Sequence, residues 1–120
     1  MRMLILASAL ILLAVPAQSA VVQLKILQPY QAGQSEGNLA AVKGRADIHP
    51  DGILPGTDID LIDNNGRRSF IGFIPKLNEY LFPDLAALNG KTVVMFGVIE
   101  FYESLPTTQI LRPAQVRLAQ

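Results

Sequence analysis

There is no cysteine and no tryptophan among these 120 residues, and His49 is the only histidine. Without thiols the chain has no disulfide framework, no thiolate metal site, no cysteine nucleophile and no lipidated amino-terminal cysteine. One histidine supplies too few nitrogen ligands for a protein-only transition-metal centre. Charge of either sign is scarce as well: ten Lys and Arg balance ten Asp and Glu. A balanced chain is a poor general binder of polyanions. Aromatic side chains are limited to five Phe and three Tyr. Only one long apolar run exists, and it opens the chain.

That run extends from Leu4 to Val15, broken only by Ser8, behind Met1-Arg2-Met3 and ahead of Pro16-Ala17-Gln18-Ser19-Ala20. A basic start, an apolar centre and a small-residue exit are the parts of a secretory signal peptide, expected over residues 1–19 with cleavage after Ala17 or Ser19. A spanning helix needs about 20 apolar residues, more than this run offers. The expectation is an exported protein, periplasmic or secreted, with no membrane span after cleavage. Loss of Arg2 leaves nine basic against ten acidic residues. About 100 residues remain, enough for one domain with one core. Residues 20–38 read as an amino-terminal strand and a polar loop, and 39–120 as the main domain.

The body reads as strands parted by turns. Val21–Leu27 alternates up to Pro29, and Gln31–Asn38 is a polar loop. In Leu39–Ile48, Ala40, Val42, Ala46 and Ile48 share one face, with Lys43, Arg45 and Asp47 on the other. Such period-two patterning fits a strand between core and water. Asp58–Asp63 and Ser69–Ile74 flank Asn64-Asn65-Gly66, a hairpin signal whose Asn65 and Gly66 suit positive φ. Pro83, Asp84 and the Asn89-Gly90 stop predict a short helix over Pro83–Leu88. Thr92–Tyr102 is the longest strand, with a bend expected at Gly97 and an inward row of Val93, Met95, Ile99 and Phe101. Glu103–Thr107 is expected to turn the chain. Gln109–Arg112 and Gln115–Leu118 form a last, proline-interrupted strand.

Strand, hairpin, short helix and two further strands is the element order of the oligonucleotide/oligosaccharide-binding (OB) barrel. Leu88-Asn89-Gly90-Lys91-Thr92-Val93, then Val94-Met95-Phe96-Gly97-Val98, Tyr102 and Gln109-Ile110 to Pro113-Ala114-Gln115-Val116 resemble the ending common in bacterial OB-fold domains. The resemblance covers roughly Leu39–Leu118. It implies an all-β, five-stranded Greek-key barrel with one short helix between strands three and four. It also implies a ligand path across strands two and three, bounded by the loops after strands one and four. A glycine often follows the Tyr in that family. Here Glu103-Ser104-Leu105-Pro106 stands in its place.

Most chemistry-bearing residues have a plain reading. Asp58, Asp60 and Asp63 could suggest a calcium site, but a loop opened at Asp58 or at Asp63 lacks its glycine, and Asp58 and Asp60, alternating with Ile59 and Leu61, read as the wet face of a strand. His49 reads as a loop residue before Pro50. Ser35, Ser69 and Ser104 lack a nucleophile-elbow context, so a small hydrolase has little support. Glu100 and Glu103 read as two solvated acids rather than a glycosidase pair. No phosphate-cradling glycine loop occurs, so no cofactor, metal or catalytic residue is expected.

The basic and aromatic residues are more informative. Lys43, Arg45, Arg67 and Arg68, with Phe96 and Tyr102 outward on strand four, are the candidate ligand-binding set. Phe70 and Phe73 fall on opposite faces, so at least one is core. The resulting reading is an exported, non-catalytic OB-type binding module for an envelope glycan, peptide or protein partner. Single-stranded nucleic acid is the alternative, because cations beside aromatic platforms could take phosphates and bases.

Overall fold

A computed structural model describes residues 24–119. The expected signal peptide and the start of the first expected strand, residues 21–23, lie outside them. Among the described residues eight strands join into one sheet: β1 (Ile26–Leu27), β2 (Leu39–His49), β3 (Gly56–Ile62), β4 (Arg68–Pro75), β5 (Thr92–Val98), β6 (Glu100–Tyr102), β7 (Leu105–Gln109) and β8 (Val116–Leu118). Their order across the sheet is β8-β5-β2-β3-β4-β7-β6, with β1 beside β2. The chain is all-β, as its alternation predicts, and its strands are shorter and more numerous than five.

The extra strands have local causes. The expected strand Thr92–Tyr102 breaks at Ile99, not at Gly97. Ile99 donates its N–H to Asn38 O (3.0 Å) and accepts from Gly37 N–H (2.8 Å), which takes its backbone out of the ladder. Gly97 serves close packing instead: a Cβ there would stand 2.0 Å from Thr108 Oγ1. Leu105–Gln109 is strand rather than turn, because Glu103 and Ser104 both hold positive φ (50° and 70°) and close a two-residue hairpin without glycine. The last strand ends at Gln109. It resumes only at Val116, after a 3-10 turn over Pro113–Gln115.

Three further expectations change. The polar loop contains a 3-10 helix over Pro29–Ser35, where the Gln31 side chain accepts from Gln28 N–H (2.8 Å) and Ala32 is fully buried. The single helix over Pro83–Leu88 is replaced by 3-10 turns over Lys76–Leu81 and Leu85–Leu88, with Pro83 lying between them. In the β3–β4 turn only Gly66 has positive φ (79°), and Asn65 does not. That turn is built around Asp63, whose Oδ1 accepts from Asn65 N–H (2.9 Å) and Arg67 N–H (3.1 Å). A carboxylate that wraps the chain replaces the tight two-residue geometry.

The core fills the inner face of the sheet. Val42, Ile59, Leu61, Phe70, Ile74, Val93, Met95, Ile99 and Ile110 are all fully buried in one cluster. Ala40, Val42 and Ala46 face it from β2, as their spacing predicts. Phe101 does not join them. The interruption at Ile99 turns β6 outward and leaves Phe101 43% exposed.

Candidate functional site

Strand pairing aligns side chains into rows on the outer face of β2–β3–β4–β7–β6. Paired positions place Asp47, Asp60, Ile71, Thr107 and Glu100 in one row, and His49, Asp58, Phe73 and Gln109 in the next. At one side the Pro50–Pro55 loop folds back over β3, held by Gly52 N–H to Gly56 O (2.9 Å) and Ile53 N–H to Asp58 Oδ2 (3.1 Å). At the other stands the β6–β7 hairpin. Between them lies a pocket of about 180 Å³, walled chiefly by Ile53, Leu54, Ile71, Phe73, Phe101 and Tyr102. Asp58, Glu100, Thr107 and Gln109 supply its polar lining. An apolar cavity near ~150 Å³ already accepts a benzene-sized group, so one ring or branched aliphatic side chain fits here.

The aspartates of this hairpin are buried, contrary to a wet strand face. Asp58, Asp60 and Asp63 are 4%, 1% and 8% exposed. The alternation of Asp58 and Asp60 with Ile59 and Leu61 does put those two on the outer face, but the folded-back loop and Arg68 cover them, and Asp63 is enclosed by the turn it wraps. Asp60 Oδ2 lies 3.2 Å from Arg68 Nη1 and 3.2 Å from His49 Nε2, and His49 Nε2 lies 3.0 Å from Asp47 Oδ2. His49 is therefore the end of β2, its ring set against two carboxylates, rather than a free loop residue. Asp47, His49 and Asp60 are the one group among the described residues whose spacing could hold a metal, with ligand atoms within 4.8 Å of one another. The Arg68 guanidinium already neutralises the shared carboxylate, so the group reads as an ion-pair cluster.

Two of these acids are shifted in opposite directions. Hydrogen bonds, that from Arg67 N–H foremost, with those from Asn65 N–H and the Ser69 hydroxyl, hold the Asp63 carboxyl below its ordinary value. Burial pushes Asp58 upward, opposed in part by Ile53 N–H and reinforced by the charge on Asp60. Asp63 thus adds stability that is full above the ordinary carboxylate range and drains as pH falls through its lowered value. Asp58 does the reverse, weakening the fold as pH rises through its raised value. In thermal melts between about pH 2 and pH 7, Asp63→Asn should lower the neutral-pH Tm and flatten the acid limb. Asp58→Asn keeps an acceptor for Ile53 N–H and should raise the neutral-pH Tm. A lowered Tm for Asp58→Asn would refute this assignment.

The six residues singled out from sequence do not form one site. Tyr102 lines the pocket. Arg68 does not line it and is committed to Asp60. Arg67 is exposed in the β3–β4 turn. Lys43, Arg45 and Phe96 lie on a different surface, the outer face of β2 and β5, where the register pairs Lys43 with Val94 and Ala41 with Phe96. The aromatic pair expected on one strand is split, because Phe96 and Tyr102 flank the break at Ile99. Sequence reading missed Ile53, Leu54, Ile71 and Asp58 as pocket walls. Phe73 was visible as the partner of Phe70 across the strand: Phe70 is the core member and Phe73 the pocket member.

Among solved structures, the chain aligns with OBody AM2EP06 bound to hen egg-white lysozyme at 16% identity and a TM-score of 0.59, over 83% of this chain and 97% of that one. OBody AM3L15 bound to hen egg-white lysozyme aligns equally well, over 83% and 98%. At such identity these likenesses show a shared fold, one consistent with an OB-type domain. A Klebsiella pneumoniae lipoprotein with a proposed nucleic acid-binding role aligns at 15% identity and a TM-score of 0.49, over 89% and 98%. No family model and no curated protein matches the chain.

Proposed function

We propose that this chain is an exported, non-catalytic OB-type binding module that engages a peptide or protein partner through the pocket between the Pro50–Pro55 loop and the β6–β7 hairpin. The observation that carries this reading is the pocket's position and chemistry. In the barrel reading, β2, β3 and β4 are the first three strands, β5 with β6 the fourth, and β7 with β8 the fifth. The parallel pairing of β4 with β7 fits that closure. Thr108 Oγ1 donating to Val98 O (2.8 Å) and the Gln115 amide donating to Phe96 O (2.9 Å) fit it too. The pocket then lies across strands two and three, between the loops after strands one and four, where an OB ligand is expected.

Its chemistry favours a polypeptide over the other ligand classes. Exposed Ile53, Leu54 and Phe101 rim a small apolar cavity, the form that receives one anchoring side chain. A sugar's hydroxyls would have Asp58, Glu100, Thr107 and Gln109 to meet, against six aliphatic and aromatic walls. Phosphates would meet Asp47, Asp58, Asp60 and Glu100 with Arg68 as the nearby fixed cation, itself paired with Asp60, and phosphate binding depends on neutralisation by cations. Catalysis finds no support in the face: its one histidine is held between two aspartates, with no serine beside it.

Titration calorimetry against a displayed-peptide panel, envelope glycans and oligo-dT at two salt concentrations tests the reading. Peptide hits should lose roughly tenfold or more in affinity with Ile53→Asp or Phe101→Ala, the scale of a lost interface anchor. The salt slope should be shallow. Steeply salt-dependent oligo-dT binding insensitive to both variants would overturn the proposal.

A further inference from the structure

The pocket leaves a second surface unused. On the outer face of β1–β2–β5–β8, the register sets Lys43, Val94 and Arg117 in one row across three strands. Arg45 and Thr92 form the next row on one side, and Ile26, Ala41 and Phe96 on the other. Arg117 stacks its guanidinium 4.8 Å from the Phe96 ring centre. A shallow depression of about 420 Å³ is lined by Ile26, Lys43, Val94, Phe96, Arg117 and Leu118 with no acid among its walls, and Arg45 and Thr92 line an adjoining one that Asp63 borders. None of the salt bridges among the described residues involves Lys43, Arg45 or Arg117. The bordering acid, Asp63, is taken up by the turn it wraps.

Around this cationic band the surface is aliphatic. Ile26, Leu39, Val98 and Leu118 are 53%, 56%, 48% and 51% exposed, and Leu39 pairs directly with Val98 on the same face. Large exposed apolar side chains grouped beside cations mark an interaction surface. Two anionic partners could satisfy the cations, and the aliphatic fringe separates them. Single-stranded nucleic acid needs aromatic platforms for its bases. The only aromatic ring in these rows, Phe96, is already covered on one side by Arg117. An anionic bilayer instead offers negative headgroups to Lys and Arg and an acyl boundary to Ile, Leu and Val.

We infer that the β1–β2–β5–β8 face docks the protein onto anionic lipid, with Lys43, Arg45 and Arg117 on the headgroups and Ile26, Leu39 and Val98 at the acyl boundary. The pocket lies on the other side of the β2–β3 junction, so docking this way leaves it open to a partner. This surface stands independently of the pocket reading.

Co-sedimentation of the protein, as isolated from the cells that make it, with vesicles tests the inference. One set is phosphatidylcholine alone, and the other contains about one third phosphatidylglycerol. Charge-dependent binding is the difference between the sets, so any lipid affinity independent of charge cancels. The wild type should favour the anionic vesicles, and salt should weaken that preference. Each cation is worth about fivefold in partitioning, so K43Q/R45Q/R117Q should lower the preference about a hundredfold while still melting cooperatively. Leu39→Ser with Val98→Ser should weaken binding but keep its salt dependence. Equal binding to both vesicle sets, or an undiminished preference in the triple variant, would overturn the inference. So would displacement from anionic vesicles by oligo-dT, which would assign the face to nucleic acid.

Discussion

Ile99→Ala is expected to lower the unfolding free energy by roughly 2–5 kcal/mol, the range for a large-to-small change at a fully buried aliphatic. Ile99 is 0% exposed and packs in the central cluster with Val93, Met95 and Ile110. It also sits at the break between β5 and β6, where its backbone bonds to Asn38 and Gly37. Those bonds use only N–H and C=O, so alanine retains them and the loss reports the side chain alone. Urea melts should show a lower midpoint with an unchanged m-value. A loss under about 1 kcal/mol would mean that the site collapses freely or that Ile99 is not core. The consequence for the pocket is direct, because the turn at Ile99 carries Phe101 and Tyr102 out to its wall.

Gly56→Ala should be at least as damaging, for a different reason. Gly56 opens β3 with φ near +147°, and a Cβ built there would lie 2.1 Å from Ile74 O and 3.0 Å from Lys76 N. Both contacts are backbone, so no rotamer change relieves them. The strand pair itself must move. Backbone strain of about 1–3 kcal/mol adds to that displacement, and a total of about 3 kcal/mol or more follows once overpacking is included. The same residue's carbonyl holds Gly52 N–H, and Pro55 O accepts from Lys76 N–H (3.1 Å), so the loop bearing Ile53 and Leu54 is disturbed with it. Gly66→Ala is the control: its φ is +79°, but the space around it is open, so only about 1 kcal/mol of strain is expected. If chemical denaturation ranks these two variants the other way, steric closure at Gly56 is not what holds the loop.

The long strands were legible because one face of each meets the core and the other does not. The alternation of Ala40, Val42 and Ala46 against Lys43 and Arg45 placed β2 nearly to the residue. β3 was legible as a strand but not in its burial. Alternation reports which face a residue takes, and cannot say that the Pro50–Pro55 loop ahead of β3 will fold back over the polar face. The same limit explains Asp58 and Asp60. Their burial depends on Ile53 N–H, His49 and Arg68, groups brought in from other segments.

The candidate set divided for a related reason. Phe96 and Tyr102 share parity along one expected strand, so continuity would put them on one face. Two backbone bonds at Ile99 end that continuity, and nothing local to Val98-Ile99-Glu100 signals it. Glu103-Ser104 likewise closes a positive-φ hairpin without the glycine that would have announced it.

The amino-acid order by itself therefore determined the all-β character, the β2 faces, the hairpin around Asn64–Gly66, the core row of Val93, Met95 and Ile99 though not its expected fourth member Phe101, and the absence of thiols. These follow from local properties: period-two burial, turn preferences and residue inventory. Tertiary structure alone decided where β5 ends, which aspartates are buried, that the pocket is walled by Ile53, Ile71 and Phe73, and that Lys43, Arg45 and Arg117 gather on a separate face. Each of those depends on strand register and on contacts between segments far apart in the chain, and neither is written into any single stretch of sequence.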